Sequence, residues 1–276
     1  MSRTVFRALP GVFALATATA LIPLGSPAKA AEDGIVVGGQ PAHVKDSPWT
    51  VALSSRSRFG NARAGQFCGA VVVAPTKVLT AAHCLSKEAL GVDVGSVHDL
   101  RIISGRDTLL GTGGQEVAVR ETWTNPGFDP ATNVGDLAVL TLADALPAKS
   151  AIPMAESGDA AYTPGTDAMV YGWGDTTGNG DYASSLRAAK VNVLSDATCA
   201  QAYPGGRNGT YDASSMLCAG EPLGGYDACQ GDSGGPLVAR GRLIGLVSWG
   251  NGCARAGYPG VYTRISAAIG WMPKTG

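Results

Sequence analysis

Residues 227–236 read Asp-Ala-Cys-Gln-Gly-Asp-Ser-Gly-Gly-Pro, and this stretch decides how the rest of the chain is interpreted. It shows neither helical periodicity nor strand alternation, which predicts a loop. Glycines on both sides of Ser233 free the backbone to turn sharply, so that neighbouring N–H groups can point to one spot. A serine hydroxyl beside converging N–H donors suits acyl transfer, because the donors stabilise the oxyanion as it forms. A short glycine–serine motif alone is more often a polar surface turn, so the interpretation depends on matching signals elsewhere.

Two polar residues far upstream supply those signals. Residues 80–84 read Thr-Ala-Ala-His-Cys and place His83 at the end of an apolar strand. A neutral imidazole can take a proton from a serine and return it to a leaving group. Asp136 stands at the mouth of a very apolar strand, where an unpaired carboxylate would be costly to bury. A histidine N–H would compensate that carboxylate, and the carboxylate would fix the histidine tautomer. A packed structural histidine is the default interpretation for His43 or His98, and Asp136 alone would be interpreted as a turn aspartate that caps a strand. Together with Ser233, His83 and Asp136 predict nucleophilic catalysis.

The first 30 residues have the composition of a secretory signal peptide. Arg3 and Arg7 give a positive start, an apolar run follows over about residues 12–24, and residues 28–30 read Ala-Lys-Ala. The apolar run is shorter than the roughly 20 residues that a transmembrane helix needs. We therefore expect a signal peptide, a short acidic propeptide over residues 31–35, and a secreted, extracellular protein without a membrane partner.

The composition of the chain excludes some partner classes and indicates disulfides. Hydrophobic residues make up 45% of the chain and charged residues 16%, with a net charge of −1. A nucleic-acid-binding protein would show a basic excess, so we expect no nucleic-acid partner. Six cysteines follow the signal peptide, and an even count in an exported chain indicates disulfides, for which 15 pairings are possible. A zinc site is the alternative, but there is no Cys-x-x-Cys pair and the histidines are scattered.

The region after residue 48 is typical of an all-β barrel or sandwich. Its short apolar or alternating runs are rich in Val, Ile, Leu and Thr and are separated by Gly, Pro, Asn and Asp. The pattern predicts strands at residues 49–53, 70–74, 77–81, 100–104, 116–120, 137–142, 168–171, 189–194, 236–239, 243–249 and 260–264. Helices are predicted only near residues 266–272 and around residues 195–202, and a domain boundary near residues 147–164.

The chain order His83, Asp136, Ser233 differs from the orders that serine hydrolases on other scaffolds use. From about residue 36 to the end, the sequence resembles the chymotrypsin-like serine peptidases, most of all the trypsin-like branch and its secreted bacterial members. The motifs that carry the resemblance lie at residues 80–84, 136–140, 231–236, 248–250 and 259–263.

The resemblance implies two six-stranded antiparallel β-barrels, at about residues 36–150 and 151–276, with the active site at their interface and a short C-terminal helix. It also implies three disulfides, Cys68–Cys84, Cys199–Cys218 and Cys229–Cys253. In this arrangement Ser233 is the nucleophile, His83 the general base and then acid, and Asp136 the orienting carboxylate. The N–H groups of Gly231 and Ser233 form the oxyanion hole, and no cofactor or metal takes part.

The resemblance further implies a deep substrate pocket with Asp227 at its base. Gly250 and Gly260 leave this pocket open, and the other expected lining residues are Ala228, Ser248, Trp249, Tyr262 and, at the outer wall, Tyr203. A slot with a negative floor suits Arg or Lys before the cleaved bond. Many trypsin-like members have Ser at the position of Ala228, where a hydroxyl can help to hold an ammonium. A guanidinium can still form two hydrogen bonds with Asp227, so we expect Arg to be preferred over Lys.

Activation by cleavage is implied by residues 36–39, Val-Val-Gly-Gly, which match the mature start of the family. The new α-amino group of Val36 would insert and pair with Asp232, which orders the oxyanion hole and the pocket. The preceding residue is Ile35 rather than Lys or Arg, so another peptidase is expected to cut this bond. Ile35 itself is the alternative mature terminus.

Polypeptides are the expected substrates, proteinaceous serine-protease inhibitors are possible partners, and the protein is expected to be a monomer. Three alternatives remain: a non-catalytic binding protein on this scaffold, an esterase-like hydrolase, and a peptidase specific for one protein through the arginine-containing loop at residues 56–63. The family's calcium loop would fall at about residues 105–116, but Arg106 lies there with only two acids, so no calcium site is expected.

Overall fold

The computed structural model describes Met1 and residues 39–273. The predicted signal peptide, the predicted propeptide and Val36 lie outside the described residues. Among the residues that are described, no helix has the length and apolar character needed to cross a membrane.

Thirteen strands and four short α-helices form the regular structure of the described chain. The strands are β1 (Gln40–Pro41), β2 (Thr50–Ser54), β3 (Gln66–Ala74), β4 (Lys77–Thr80), β5 (Arg101–Ser104), β6 (Gln115–Thr124), β7 (Ala138–Leu142), β8 (Asp167–Gly172), β9 (Arg187–Val193), β10 (Met216–Gly220), β11 (Pro236–Ala239), β12 (Arg242–Trp249) and β13 (Gly260–Arg264). The helices are α1 (Arg56–Phe59), α2 (Lys87–Leu90), α3 (Asp196–Ala202) and α4 (Ile265–Ala268).

These strands close into the two six-stranded antiparallel barrels that the resemblance implied. The first barrel has the strand order β2-β3-β4-β7-β6-β5. The second has the order β9-β10-β13-β12-β11-β8 and closes through the pairing of β8 with β9, while β1 adds to the outer edge of β9. The predicted all-β class and the two barrels are confirmed.

Alternate residues of the strands serve two different cores, which explains why the strand sequences are continuously apolar. On β3, Val72 packs inside the first barrel, while its neighbour Val71 packs in a second cluster between the barrels. The same alternation separates Val78 from Leu79 on β4, because successive side chains of a strand point to opposite faces. Each such buried Val or Leu contributes about 1.5–3 kcal/mol, so both cores stabilise the fold.

The cluster between the barrels positions the candidate site. Leu137, directly after Asp136, packs in it together with Leu243 and Leu246 of β12 and Val238 of β11. These contacts hold the start of β7 against the second barrel. As a result, polar residues at this junction are supplied by both barrels.

All eleven predicted strands are present, with ends that differ by a few residues, and two strands were missed. β1 has only two residues, and β10 reads Met-Leu-Cys-Ala-Gly, without a β-branched or aromatic residue. β10 is buried along its whole length between β9 and β13, so pairing and burial override its weak propensity. The predicted helix around residues 195–202 corresponds to α3, which Ser195 caps through its hydroxyl.

The C-terminal helix is shorter than predicted, since α4 ends at Ala268 instead of near residue 272. The two unpredicted helices, α1 and α2, have four residues each, too few for a periodic pattern. The three implied disulfides, Cys68–Cys84, Cys199–Cys218 and Cys229–Cys253, are confirmed, and they pair all six cysteines.

Candidate active site

His83 and Asp136 meet in the cleft between the barrels. His83 lies in a 3-10 turn directly after β4, and Asp136 lies just before β7, which pairs with β4. His83 Nδ1 is 2.8 Å from Asp136 Oδ2, and the backbone N–H of His83 donates to Oδ1 over 2.9 Å. The Asp136 side chain is fully buried, whereas 27% of the His83 side chain is exposed. Because the carboxylate engages Nδ1, Nε2 is left to accept a proton from the cleft.

Two hydroxyl groups of the second barrel also hold Asp136. Ser248 Oγ on β12 donates to Oδ2 over 2.5 Å, and Thr263 Oγ1 on β13 donates to the backbone oxygen over 2.7 Å. Donors around a buried carboxylate offset the cost of removing it from water. Ser248 was predicted only as a pocket residue, because nothing in the local sequence links it to Asp136, which lies 112 residues away.

The pKa of His83 is raised above its usual value of 6.5. Burial lowers this pKa, but the negative charge of Asp136 and its hydrogen bond together outweigh burial. The imidazole therefore protonates at a higher pH than a free histidine, and a base at this position is lost as the pH falls.

Ser233 lies in the same cleft. Its backbone oxygen accepts a hydrogen bond from Gly69 N on β3 over 2.8 Å. The Sγ atom of Cys84 is 3.6 Å from that oxygen and 3.9 Å from Nε2 of His83, so the serine and the histidine are close neighbours. In the region between residues 39 and 273, no hydrogen bond joins Ser233 Oγ to His83 Nε2. In enzymes without substrate such bonds are often long and tighten only in the complex.

Close backbone packing fixes the turn around Ser233. A Cβ atom on Gly234 would lie 2.1 Å from Thr80 Oγ1 and 2.6 Å from the Gly69 oxygen, and its φ of +79° is in the left-handed region. Only glycine satisfies both conditions. The loop of the second barrel therefore docks directly onto β3 and β4, next to His83.

The N–H groups of Gly231 and Ser233 are available to bind a negative oxygen. Neither donates a hydrogen bond to another group of the described chain. Gly231 has a φ of +92°, and a Cβ there would lie 3.2 Å from the ring of Tyr182. Its carbonyl accepts a hydrogen bond from Gln66 Nε2 over 2.8 Å, which orients this peptide. Nothing in the sequence around Gln66 predicts this contact with Gly231.

A cavity of about 200 Å³ opens beside Ser233, with Asp227 at its base. Only 3% of Asp227 is exposed; its carboxylate accepts hydrogen bonds from Ala228 N over 2.8 Å and Ala254 N over 3.2 Å. Seven of the eight residues expected at the pocket line this cavity: Asp227, Ala228, Ser248, Trp249, Gly250, Gly260 and Tyr262. The eighth, Tyr203, is buried and does not line it.

The two pocket glycines have different physical roles. A Cβ on Gly260 would lie 2.5 Å from Asp227 Oδ1, so only glycine lets this strand pass the carboxylate. A Cβ on Gly250 would meet no atom closer than 3.5 Å. Gly250 is therefore not required by packing and leaves open space at the cavity.

Burial raises the pKa of Asp227 to about 7, although the two backbone hydrogen bonds lower it. Within the part of the chain that the structure describes, no cation lowers this pKa, and the negative charge of Asp232 raises it further. A guanidinium or ammonium that enters the cavity would supply one and favour ionisation.

Tyr203 packs behind the lining residue Trp249, with the two ring centroids 4.7 Å apart. The hydroxyl of the buried Tyr203 donates to the Pro259 oxygen over 2.6 Å and accepts from Asn251 N over 3.4 Å. The prediction that Tyr203 lines the outer wall is therefore wrong in this structure: its side chain is used to support the neighbouring segments at Trp249, Asn251 and Pro259.

Asp232 is fully buried beside the turn. Its carboxylate accepts hydrogen bonds from Gly174 N over 2.7 Å and from Cys229 N over 3.0 Å. Burial raises its pKa to about 6. Its expected partner, Val36, lies outside the described residues.

The three arginines at residues 56–63 bind within the chain. Arg56 donates two hydrogen bonds to Glu116, over 2.7 and 2.8 Å, and Arg58 donates to the Leu90 oxygen over 2.8 Å. Arg63 donates to the Trp173 oxygen and lies 4.1 Å over the Tyr182 ring. Arg56 and Arg63 are thus engaged within the chain, whereas Arg58 is exposed and uses only its Nε.

Among the described residues, the cluster Cys68, His83 and Cys84 has atoms close enough to hold a metal. Both cysteines are in one disulfide and offer no thiolate, which a zinc ion requires.

A double barrel with this cleft between its halves defines the class of chymotrypsin-like serine endopeptidases, which act on polypeptides.

Comparisons with known proteins specify the family. The profile of the family described as Trypsin matches residues 36–272. A trypsin of Saccharopolyspora erythraea is 45% identical over 234 residues, which cover 84% of this chain and 94% of that protein. A trypsin of Sus scrofa is 34% identical over 245 residues, 88% of this chain and 96% of that protein. Kallikrein-14 of Homo sapiens is 36% identical over 270 residues, 96% of this chain and 93% of that protein. The chain belongs to the trypsin family.

Proposed function

We propose that this protein is a secreted serine endopeptidase that hydrolyses peptide bonds after Arg, and more slowly after Lys, through an acyl-enzyme. It is made with a signal peptide at residues 1–30 and a propeptide at residues 31–35, and it is activated by cleavage before Val36. The observation that carries the specificity is the buried carboxylate of Asp227 at the base of a cavity that Ser233 also lines.

In the proposed mechanism, Ser233 Oγ attacks the carbonyl carbon of the substrate while His83 Nε2 takes the hydroxyl proton. Asp136 stabilises the imidazolium and keeps Nδ1 protonated; the contacts of 2.8 and 2.9 Å support this role. The N–H groups of Gly231 and Ser233 stabilise the oxyanion. The imidazolium then protonates the leaving amine, and a water molecule, deprotonated by His83, hydrolyses the ester.

The preference for Arg follows from the chemistry of the pocket. A guanidinium can donate two parallel hydrogen bonds to the carboxylate of Asp227. An ammonium is a compact point charge that needs further acceptors around it, and the methyl group of Ala228 supplies none. Arg is therefore held by its fork geometry, whereas Lys loses part of its hydration without full compensation.

Activation before Val36 is supported by the start of the family match at residue 36 and by the burial of Asp232. An α-amino group that pairs with Asp232 would compensate a carboxylate whose pKa burial has raised to about 6. N-terminal sequencing of the active protein tests this part: the proposal requires Val at the first position.

The cleavage specificity is tested with a random peptide library and protein activated at Val36. We expect cuts almost only after Arg and Lys, with Arg the faster. Cuts that follow apolar residues equally well would refute the pocket assignment, and a protein that hydrolyses small esters but no peptides would refute the endopeptidase.

A further inference from the structure

Residues 63–65, directly before β3, have an unusual backbone conformation. Arg63, Ala64 and Gly65 have φ values of +59°, +54° and +74°, in the left-handed region that glycine adopts most readily. Two non-glycine residues in succession in this region are costly, and such backbone persists only where surrounding contacts hold it. We call residues 63–65 the left-handed segment. Backbone of this kind clusters at functional sites, so the contacts of the segment are informative.

The left-handed segment directs the Arg63 side chain toward the loop that follows β8. Ala64 is buried in the same apolar cluster as Trp173 of that loop. Trp173 is itself fixed, because its ring N–H donates to the Asp107 oxygen over 2.7 Å. Arg63 donates a hydrogen bond to the backbone oxygen of Trp173. Burial lowers the pKa of Arg63, so this position of the guanidinium is costly and must be offset by its contacts.

The peptide group that joins Trp173 to Gly174 connects this guanidinium to Asp232. Its carbonyl accepts the hydrogen bond from Arg63, and its N–H donates to Asp232 Oδ1 over 2.7 Å. A peptide group with a cation at its oxygen and a carboxylate at its N–H is polarised in one direction, which strengthens both bonds. The positive charge of Arg63 also lowers the pKa of Asp232, against burial and the negative charge of Asp175.

The carboxylate of Asp232 lies directly against this peptide. A Cβ atom on Gly172 or on Gly174 would overlap the carboxylate, so only glycine at these two positions lets the groups approach so closely. Asp232 is fully buried and has no space to move away from the peptide. The position of residues 172–174 therefore determines the position of Asp232.

Arg63 also reaches the oxyanion loop by a second route, through Tyr182. The guanidinium carbon lies 4.1 Å from the centroid of the Tyr182 ring. A cation over the face of an aromatic ring is attracted to it. The edge of the same ring would be 3.2 Å from a Cβ atom on Gly231. Tyr182 thus contacts Arg63 on one side and Gly231 on the other.

We propose that Arg63 is a positioning residue for the oxyanion hole. Through the peptide it compensates the buried carboxylate of Asp232, and through Tyr182 it supports Gly231. Asp232 lies between the two residues whose N–H groups form the proposed oxyanion hole, so a fixed carboxylate fixes both donors. This inference deepens the proposed function and rests on it.

The contribution of Arg63 differs from that of the α-amino group of Val36, the proposed partner of Asp232. A guanidinium does not lose its proton in proteins, and Arg63 carries its charge whether or not the chain is cleaved. The oxyanion exists only as the transition state forms, so the loss of a positioning residue lowers kcat and leaves KM nearly unchanged.

The test measures kcat and KM of the mature protein for an Arg peptide in four variants. Arg63→Gln removes the charge, and Arg63→Lys keeps a cation that can donate to the Trp173 oxygen. Tyr182→Leu removes the ring between the guanidinium and the oxyanion loop. Arg58→Gln is the matched control, since it removes the same charge from a neighbouring arginine that donates to the Leu90 oxygen over 2.8 Å. Thermal melting reports unfolding, and the final stoichiometry of labelling by a phosphonate ester counts the active sites.

We expect kcat of Arg63→Gln to fall about tenfold, the equivalent of about 1.4 kcal/mol, while KM changes less than about twofold. Arg63→Lys should recover most of this loss, because it retains the cation. Tyr182→Leu should lower kcat about threefold, as expected for the loss of an exposed cation–ring contact. Arg58→Gln should keep the kcat of the unmodified protein.

The inference is overturned if kcat of Arg63→Gln stays within about twofold of the unmodified value, or if the loss appears only in KM. It is also overturned if Arg63→Lys is as slow as Arg63→Gln, or if Arg58→Gln loses as much. Tyr182 is exposed, so Tyr182→Leu should fold; if Arg63→Gln does not, an unchanged kcat in Tyr182→Leu overturns the inference. If the unmodified protein cleaves no Arg peptide, the proposed function fails instead.

Discussion

At the scale of single residues, the proposed choice of substrate depends on what lies around Asp227. The carboxylate is buried, its partners among residues 39–273 are two backbone N–H groups, and burial raises its pKa to about 7. Such a group binds a cation well only in its ionised form. Its protonation and the polarity of its neighbour at position 228 should therefore both control substrate choice.

Substrate binding should be sensitive to pH through Asp227. Because its pKa is raised to about 7, the carboxyl in the empty pocket gains a proton as the pH falls through that value and loses its attraction for a guanidinium. We expect kcat/KM for an Arg peptide to fall steeply below about pH 7, relative to a peptide with citrulline, the uncharged isostere of arginine. The ratio of the two values isolates Asp227, since both peptides need the same neutral His83. A ratio that is constant from about pH 5 to about pH 8 would contradict the raised pKa.

The residue at position 228 should set the ratio of Arg to Lys cleavage. Ala228→Ser adds a hydroxyl beside Asp227 that can accept a hydrogen bond from an ammonium. We expect kcat/KM for a Lys peptide to rise about 3- to 10-fold, the range for one added hydrogen bond, while the value for the matched Arg peptide changes less. The measurement is the ratio on two peptides that differ only in this side chain. An unchanged ratio would mean that Ala228 does not contribute to the preference.

At the scale of elements, the His83–Asp136 pair depends on strands from both barrels. β4 and β7 of the first barrel bring the two residues together, and β12 and β13 of the second supply the hydroxyls of Ser248 and Thr263. The cluster that includes Leu137 and Leu246 fixes these strands relative to one another.

Removal of the Ser248 hydroxyl should weaken catalysis without unfolding the protein. Ser248→Ala leaves the buried Asp136 carboxylate with one donor fewer, and a hydrogen bond to a charged group is worth about 1.5–3 kcal/mol. We expect kcat/KM to fall about tenfold or more. The acid limb of the pH profile should move to higher pH, because the less well compensated carboxylate attracts the His83 imidazolium more strongly.

The matched control for this variant is Ser215→Ala, which removes a hydroxyl that donates to Asp212 over 2.6 Å, away from the cleft. It should retain the activity and the pH profile of the unmodified protein. Equal activity in the two variants would show that the Ser248 contact has no role in positioning the pair.

A strand could be predicted from the sequence where burial requires a run of apolar residues or an alternation of apolar and polar residues. β7 reads Ala-Val-Leu-Thr-Leu and is buried on both faces, so its sequence alone shows a core strand. β10 carries no such pattern. Its last three residues are Cys, Ala and Gly, which suit close packing and the Cys199–Cys218 disulfide rather than strand propensity. The ends of α4 depended on packing against β12 and β13, which local sequence does not encode.

At the scale of the whole molecule, the function depends on two barrels that present their polar edges to one cleft. The candidate residues His83, Asp136, Ser233 and Asp227 could be predicted because each lies in a local motif with an unusual composition. Ser248 and Gln66 could not be predicted in their supporting roles, because those contacts join residues far apart in the chain. They exist only after both barrels have folded and docked.

The central claim is that Ser233 is a nucleophile whose cleft selects a cation through Asp227. The most direct measurement is covalent labelling of the active protein with an arginine-like phosphonate ester and a neutral analogue of the same size, with mass-spectrometric mapping of the adduct. We predict one adduct, on Ser233, and a rate with the arginine-like reagent that falls at least tenfold in Asp227→Ser, as expected for the loss of a buried ion pair, while the neutral reagent reacts at a similar rate. An adduct on another residue, or an equal loss of rate with both reagents, would contradict the account.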